Sequence, residues 1–78
     1  MFTSRDLEEF IKNNPHPEFI HFVLPGAVVS GQFVKRTPEI IHLENVTTYT
    51  GGSTVYIDLL QIPTEKILAW GEGVIHLA

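Results

Sequence analysis

Turn signals at regular intervals divide the second part of the chain into short segments, and this spacing constrains the fold more than any other feature. Proline or glycine marks four breaks, at Pro25-Gly26, Thr37-Pro38, Gly51-Gly52 and Pro63-Thr64. Runs rich in β-branched residues between such breaks are typical of β-strands joined by tight turns. The sequence predicts five strands, at Glu18–Leu24, Ala27–Lys35, Ile40–Thr50, Ser53–Ile62 and Ile67–Trp70.

The residues before the strands carry the pattern of one amphipathic helix. Thr3 or Ser4 can cap its N-terminus, and Asn13-Asn14-Pro15 ends it. Apolar side chains recur at helical spacing on one face, at Leu7, Phe10 and Ile11. We expect a helix over about residues 4–13, which is too short to be stable alone and must pack against the strands.

A helix followed by five short strands predicts a mainly β fold, in which a strongly bent antiparallel sheet closes into a small barrel. Gly31, in the middle of the second strand, is expected to permit a sharp bend. A chain of 78 residues allows one domain. We therefore expect a single domain over 1–78, with the helix at about 4–13, the barrel at about 18–70 and a short tail at 71–78.

The fourth predicted strand is apolar on both faces. Val55, Ile57 and Leu59 are expected on one face, and Tyr56, Leu60 and Ile62 on the other. A long apolar edge strand aggregates unless it is paired or covered. We expect it to pair with the fifth strand of a second copy and to close a ring of about five to seven subunits. Alternatively, the helix and the tail cover the second face. The predicted interface residues are Val55, Tyr56, Ile57, Leu60, Ile67 and Trp70.

Composition favours self-association. A domain this small buries only about 60% of its unfolded surface, and without cysteine it has no disulfides or thiolate metal sites. The net charge of −4 lacks the basic excess of a general nucleic-acid coat. No apolar run reaches the roughly 18 residues of a membrane span, and no signal peptide is evident. A soluble, cytoplasmic protein without membrane contact is expected.

The segment Phe22–Phe33 has an apolar strand, a turn glycine at Gly26 and a mid-strand glycine at Gly31. Ile40–Val46 then fits a third strand, and Ile62–Ile67 fits a second motif. In these features the chain resembles the Sm-like family, which comprises the Sm and LSm proteins and their bacterial host-factor relatives. The resemblance covers nearly the whole chain and implies a helix, five bent strands, a ring and RNA binding at its inner rim.

The family's RNA-reading residues are not present. Thr37 stands where an Asp is expected, and Ile41 where Sm proteins have Asn. Pro63 and Thr64 replace the Arg-Gly of Sm proteins, and Glu65 replaces the His of bacterial relatives. The resemblance therefore supports the fold more than it supports uridine recognition.

A local basic rim is the remaining route to nucleic-acid binding. Lys35 and Arg36 are expected in a turn that faces the pore, where a ring would repeat their charges. Lys66 could extend this rim, and Tyr49 could stack on a base. The alternative for the three basic residues is an ordinary surface side chain, and for Tyr49 it is packing against its own hairpin. The predicted nucleic-acid-binding residues are Lys35, Arg36, Thr37, Tyr49 and Lys66.

Catalytic and metal motifs are missing from the sequence. It has no nucleophile elbow, phosphate-cradling loop or HExxH, and its four histidines are scattered. We expect no enzyme activity, no metal and no cofactor.

Three functional hypotheses follow. The first is a homo-oligomeric ring that binds single-stranded RNA or DNA. The second is a structural or protein-interaction ring without nucleic acid, favoured by the acidic charge. The third is a monomeric SH3-like adaptor for an extended peptide.

Overall fold

The computed structural model describes residues 2–14 and 19–73. Helix α1 covers Ser4–Asn13, and its N-cap is Thr3, whose hydroxyl accepts a hydrogen bond from the N–H of Asp6 at 3.4 Å. At the other end, the side chain of Asn14 donates to the carbonyl of Phe10 at 2.9 Å. The predicted helix is confirmed. Capping residues close in sequence determine both of its ends, so the sequence alone was enough to locate them.

The strands are β1 (Ile20–Leu24), β2 (Ala27–Arg36), β3 (Ile40–Thr50), β4 (Ser53–Pro63) and β5 (Ala69–Glu72). The fifth strand begins two residues later than predicted. A 3₁₀ turn over Thr64–Lys66 precedes it, and Ile67 then turns into the core, where 5% of its surface is exposed. Glu18 and most of the predicted tail, residues 74–78, lie outside the described residues.

The five strands form one antiparallel sheet in the order β4-β3-β2-β1-β5. β4 and β5 are therefore its two edges, and within residues 19–73 they are not paired with each other. The mainly β prediction is confirmed, but the predicted closure into a barrel is not: the sheet is open between β4 and β5. The part of the chain that the structure describes thus presents two unpaired edges.

Two irregularities bend the sheet between β2 and β3. Ser30 is paired with Thr47 but Gln32 with Glu44, so β3 carries one extra residue. Asn45, in this bulge, has a φ of 52°. A second register shift between Phe33 and Lys35 places an extra residue in β2. Bulges increase the local twist and bend of a strand, so the long strands curve around the core.

The core lies between α1 and the concave face of the sheet. Its fully buried members come from the helix, from four strands and from the segment before β5: Leu7, Ile20, Phe22, Val29, Ile41, Leu43, Val46, Ile62 and Ile67. The helix therefore covers the core on the side opposite the sheet. Among the described residues, no helix combines the length and apolar character that crossing a membrane requires.

Candidate interaction surfaces

Two loops meet at one end of the sheet. Thr37 organises the first loop, since its hydroxyl accepts hydrogen bonds from the N–H of Glu39 at 3.2 Å and of Ile40 at 3.0 Å. Thr64 joins the second loop to the first. Its N–H donates to the carbonyl of Glu39 at 2.8 Å, and its hydroxyl donates to the carbonyl of Pro38 at 2.9 Å. This surface, the double loop, comprises residues 37–39 and 64–66.

Arg36, the last residue of β2, is held by the helix. Its Nη2 lies 3.1 Å from Oε1 of Glu8, and its Nη1 donates to the hydroxyl of Ser4 at 3.3 Å. The Ser4 hydroxyl donates in turn to the carbonyl of Thr37 at 3.0 Å. The hydrogen bond between Arg36 and Glu8 lowers the pKa of Glu8 and raises the pKa of Arg36. Arg36 is therefore an internally paired cation.

Lys35 and Arg36 do not lie together in a turn, as the sequence predicted, because β2 extends through both. Consecutive strand residues point to opposite faces of a sheet. Arg36 lies opposite the buried Ile41 and faces the helix, whereas Lys35 lies opposite His42 on the other face. The two cations therefore do not form one rim.

Lys35 and Lys66 line two separate grooves. Lys35 lines a shallow groove with His42, and Lys66 lines a second groove with Pro25. Leu60 and Gln61 of β4 are common to both grooves, and both lysines are exposed.

The double loop itself is not a basic surface. It contains Glu39 and Glu65, and its one basic residue is Lys66. Tyr49 is half-buried near the other end of β3, paired with Val28 and Thr54. The structure therefore does not bring Tyr49 together with the lysines.

The β4 edge carries large apolar side chains that face solvent. Tyr56 is 80% exposed and Leu59 is 72% exposed, with Val55 nearby. Ile57 and Leu60 are partly buried and pack against the core. The prediction that Ile57 and Leu59 share a face is wrong. The sheet bends at Asn45, and beside this bend the residues of β4 that face the core are Ile57 and Leu60, three positions apart instead of two.

The β5 edge lies beside an open groove of about 810 Å³. Phe2, Pro38, Leu68 and Trp70 are among its lining residues, and Leu68 is 67% exposed. The ring of Trp70 meets that of Phe10 edge to face, with centroids 5.2 Å apart. Of the two predicted interface residues in this region, Ile67 lies in the core and Trp70 contacts the helix of its own chain.

His21 contributes a contact that the sequence did not predict. Its Nε2 lies 2.6 Å from the carbonyl of Gly73, and its Nδ1 lies 2.6 Å from the hydroxyl of Ser30. A carbonyl can only accept, so Nε2 donates to Gly73; in the neutral ring Nδ1 then accepts from the Ser30 hydroxyl. His21 therefore ties the end of β5 to β1 and β2.

Other residues that the sequence analysis missed are Ser4 and Glu8. Their spacing of four places them on one helix face, but no pattern identifies a partner 28 positions away at Arg36. Within residues 2–14 and 19–73, no three His, Asp or Glu side chains come together as metal ligands would.

Comparison with known proteins establishes a likeness of fold alone. No protein-family model matches the chain, and no curated protein matches it either. A chain of similar fold occurs in the crystal structure of the NatC complex bound to Gag peptide and CoA. The two superpose with a TM-score of 0.65 over 82% of this chain and 86% of that one, at 18% sequence identity.

Proposed function

We propose that this protein is a Sm-like assembly module, in which the β4 edge of one copy pairs with the β5 edge of the next to close a ring. The observation that carries the proposal is the pair of open edges on one antiparallel sheet. Among the described residues, each edge leaves backbone N–H and C=O groups without strand partners, and such groups readily pair with another chain.

The side chains at the two edges support this pairing. The β4 edge has little of the usual protection, since it contains one charged residue, Asp58, and one proline, Pro63, at its end. Its exposed Tyr56 and Leu59 match the apolar groove beside β5 in character. An interface that buries them removes the largest exposed apolar side chains of β4 from water, which is favourable at about 25 cal/mol per Å².

Mass in solution tests this proposal. Multi-angle light scattering of the wild type at micromolar concentration should give a closed oligomer. Leu59→Lys should reduce it to monomer with an unchanged far-ultraviolet circular dichroism spectrum. Val23→Lys is the matched control, because Val23 is also an exposed apolar residue but lies on the internal strand β1. A monomeric wild type, as the SH3-like adaptor hypothesis expects, would exclude the ring.

Binding of single-stranded nucleic acid is a second candidate function. The observation that favours it is that the exposed Lys35 and Lys66 line grooves that share Leu60 and Gln61, and that neither lysine has a salt-bridge partner among the described residues. A ring would repeat this pair in every subunit and raise the local positive potential on an acidic body. The acids of the double loop oppose it.

A labelled single-stranded RNA tests this candidate separately from assembly. The combined change of Lys35 and Lys66 to Glu should abolish a salt-sensitive complex while the oligomer mass stays the same. The combined change of Arg5 and Lys12 to Glu is the control for net charge, because it also replaces two cations by two acids and both residues lie on α1. Equal losses in the two variants would attribute the binding to net charge alone.

A further inference from the structure

The side chains around Arg36 resemble an occupied anion site. Ser4 and Glu8 lie one helical turn apart, and both reach the guanidinium of Arg36, with 3.3 Å to the hydroxyl and 3.1 Å to the carboxylate. Arg36 and Glu8 come from elements far apart in sequence, so helix docking creates this contact. Arg36 also immediately precedes the double loop.

The Glu8 carboxylate occupies the place that an external anion would take. The planar guanidinium fork suits a carboxylate and a phosphate equally, because both present oxygen acceptors with negative charge. Ser4 would hold the guanidinium in place rather than bind that anion, since its one hydroxyl proton is donated to the carbonyl of Thr37 at 3.0 Å and its oxygen accepts from Nη1 of Arg36.

The Glu8 carboxylate can move away from Arg36 without unfolding of the helix. The Glu8 side chain is 47% exposed, whereas that of Arg36 is 21% exposed. Leu7, fully buried between them and the core, holds the backbone of α1 in place. Rotation of the Glu8 side chain into solvent therefore opens the guanidinium while the helix stays docked.

We propose that Arg36, positioned by Ser4, is a phosphate-binding site for single-stranded nucleic acid, and that Glu8 holds this site closed by intramolecular competition. The inference rests on the second candidate function above. A phosphodiester group displaces the carboxylate, so the affinity of each subunit is reduced by the contact with Glu8. Helix α1 thereby sets how strongly an acidic protein binds a polyanion.

Glu8→Gln and Glu9→Gln make a matched pair of variants. Both remove one negative charge from α1 and keep a good helix former. Glu9 pairs with Arg5 on the exposed side of the same helix, with 3.8 Å between Oε1 and Nε. The first variant frees Arg36 and the second leaves it paired, while the net charge of both is the same.

Binding of a fluorescently labelled oligouridine RNA would be measured by anisotropy over a series of salt concentrations. Glu8→Gln should bind about threefold more tightly than wild type, in line with the loss of one exposed ion pair as competitor. The slope of log K against log salt should steepen by about 0.7 for each phosphate gained. Glu9→Gln should stay close to wild type, and adding Arg36→Gln to Glu8→Gln should remove the gain.

The possible failures are distinguishable. Equal gains in both single variants would overturn the inference, because net charge would then explain them. RNA binding by the wild type without a gain in Glu8→Gln would overturn it and leave the second candidate function in place. No RNA binding by wild type or by Glu8→Gln would remove both, whereas the oligomer mass would still decide the assembly proposal.

Discussion

Replacing Gly31 by alanine should strongly destabilise the fold, because the bend between β2 and β3 leaves no space for a side chain. A Cβ atom at this position would lie 2.9 Å from Cγ2 of Val46, 3.2 Å from the carbonyl oxygen of Glu44 and 3.3 Å from Cβ of Leu43. The first distance is shorter than real Cβ contacts, so the neighbouring atoms must move.

The magnitude follows from how little these neighbours can move. Val46 and Leu43 are each 1% exposed, and the Glu44 atom belongs to the backbone of the β3 bulge. Inserting atoms into a packed core costs about 1–3 kcal/mol. Three simultaneous contacts, one of them with backbone, place Gly31→Ala near the upper end, at about 2–3 kcal/mol.

Urea denaturation at a fixed protomer concentration would measure this loss, since any self-association also contributes to apparent stability. Gly71→Ala is the control: it lies in β5, and no atom approaches its added Cβ within 4 Å. We expect it to stay within about 0.5 kcal/mol of wild type. A Gly31→Ala variant as stable as Gly71→Ala would refute the close approach at the bend.

Three further predictions concern the helix and the core. Leu7→Ala should cost about 2–5 kcal/mol in chemical denaturation, because it leaves a cavity beneath a fully buried position; a loss below 1 kcal/mol would contradict the docking of α1. Thr48→Val should stabilise the protein by about 1 kcal/mol, because Oγ1 of Thr48 is buried without a hydrogen-bond partner in the described chain; a lower melting temperature would show that this hydroxyl has a partner. Arg36 lowers the pKa of Glu8 in the folded state, so the stabilisation from this contact is present above the unfolded pKa of glutamate and is lost as pH falls through the lowered folded pKa. The difference in melting temperature between wild type and Glu8→Gln should therefore shrink in acid, and a difference independent of pH would contradict it.

The sequence predicted the elements whose ends depend on local chemistry. Thr3 and Asn14 cap α1, and glycines with positive φ form the β1–β2 and β3–β4 turns. Such signals act within a few residues, so they can be recognised without knowledge of the fold. Gly31 also indicated the bend, since a glycine inside a β-rich run is typical of one.

Features that depend on distant contacts could not be predicted in this way. The late start of β5 depends on the burial of Ile67, and the inward faces of β4 depend on the bulge at Asn45 of its partner strand. The position of Arg36 depends on where α1 docks. The periodicity of apolar residues identifies each strand or helix separately. It does not show how these elements contact one another, and the three features above depend on such contacts.

Helix α1 connects the two proposed surfaces physically. Phe10 packs edge to face on Trp70 of the β5 edge, and Glu8, two residues earlier, pairs with Arg36 beside the double loop. The helix has ten residues and is too short to be stable apart from the sheet. Any change that undocks it would therefore release Arg36 and loosen Trp70 together. Pairing at the β5 edge should in turn favour the docked helix and the closed Arg36 site, since coupling between two sites is reciprocal.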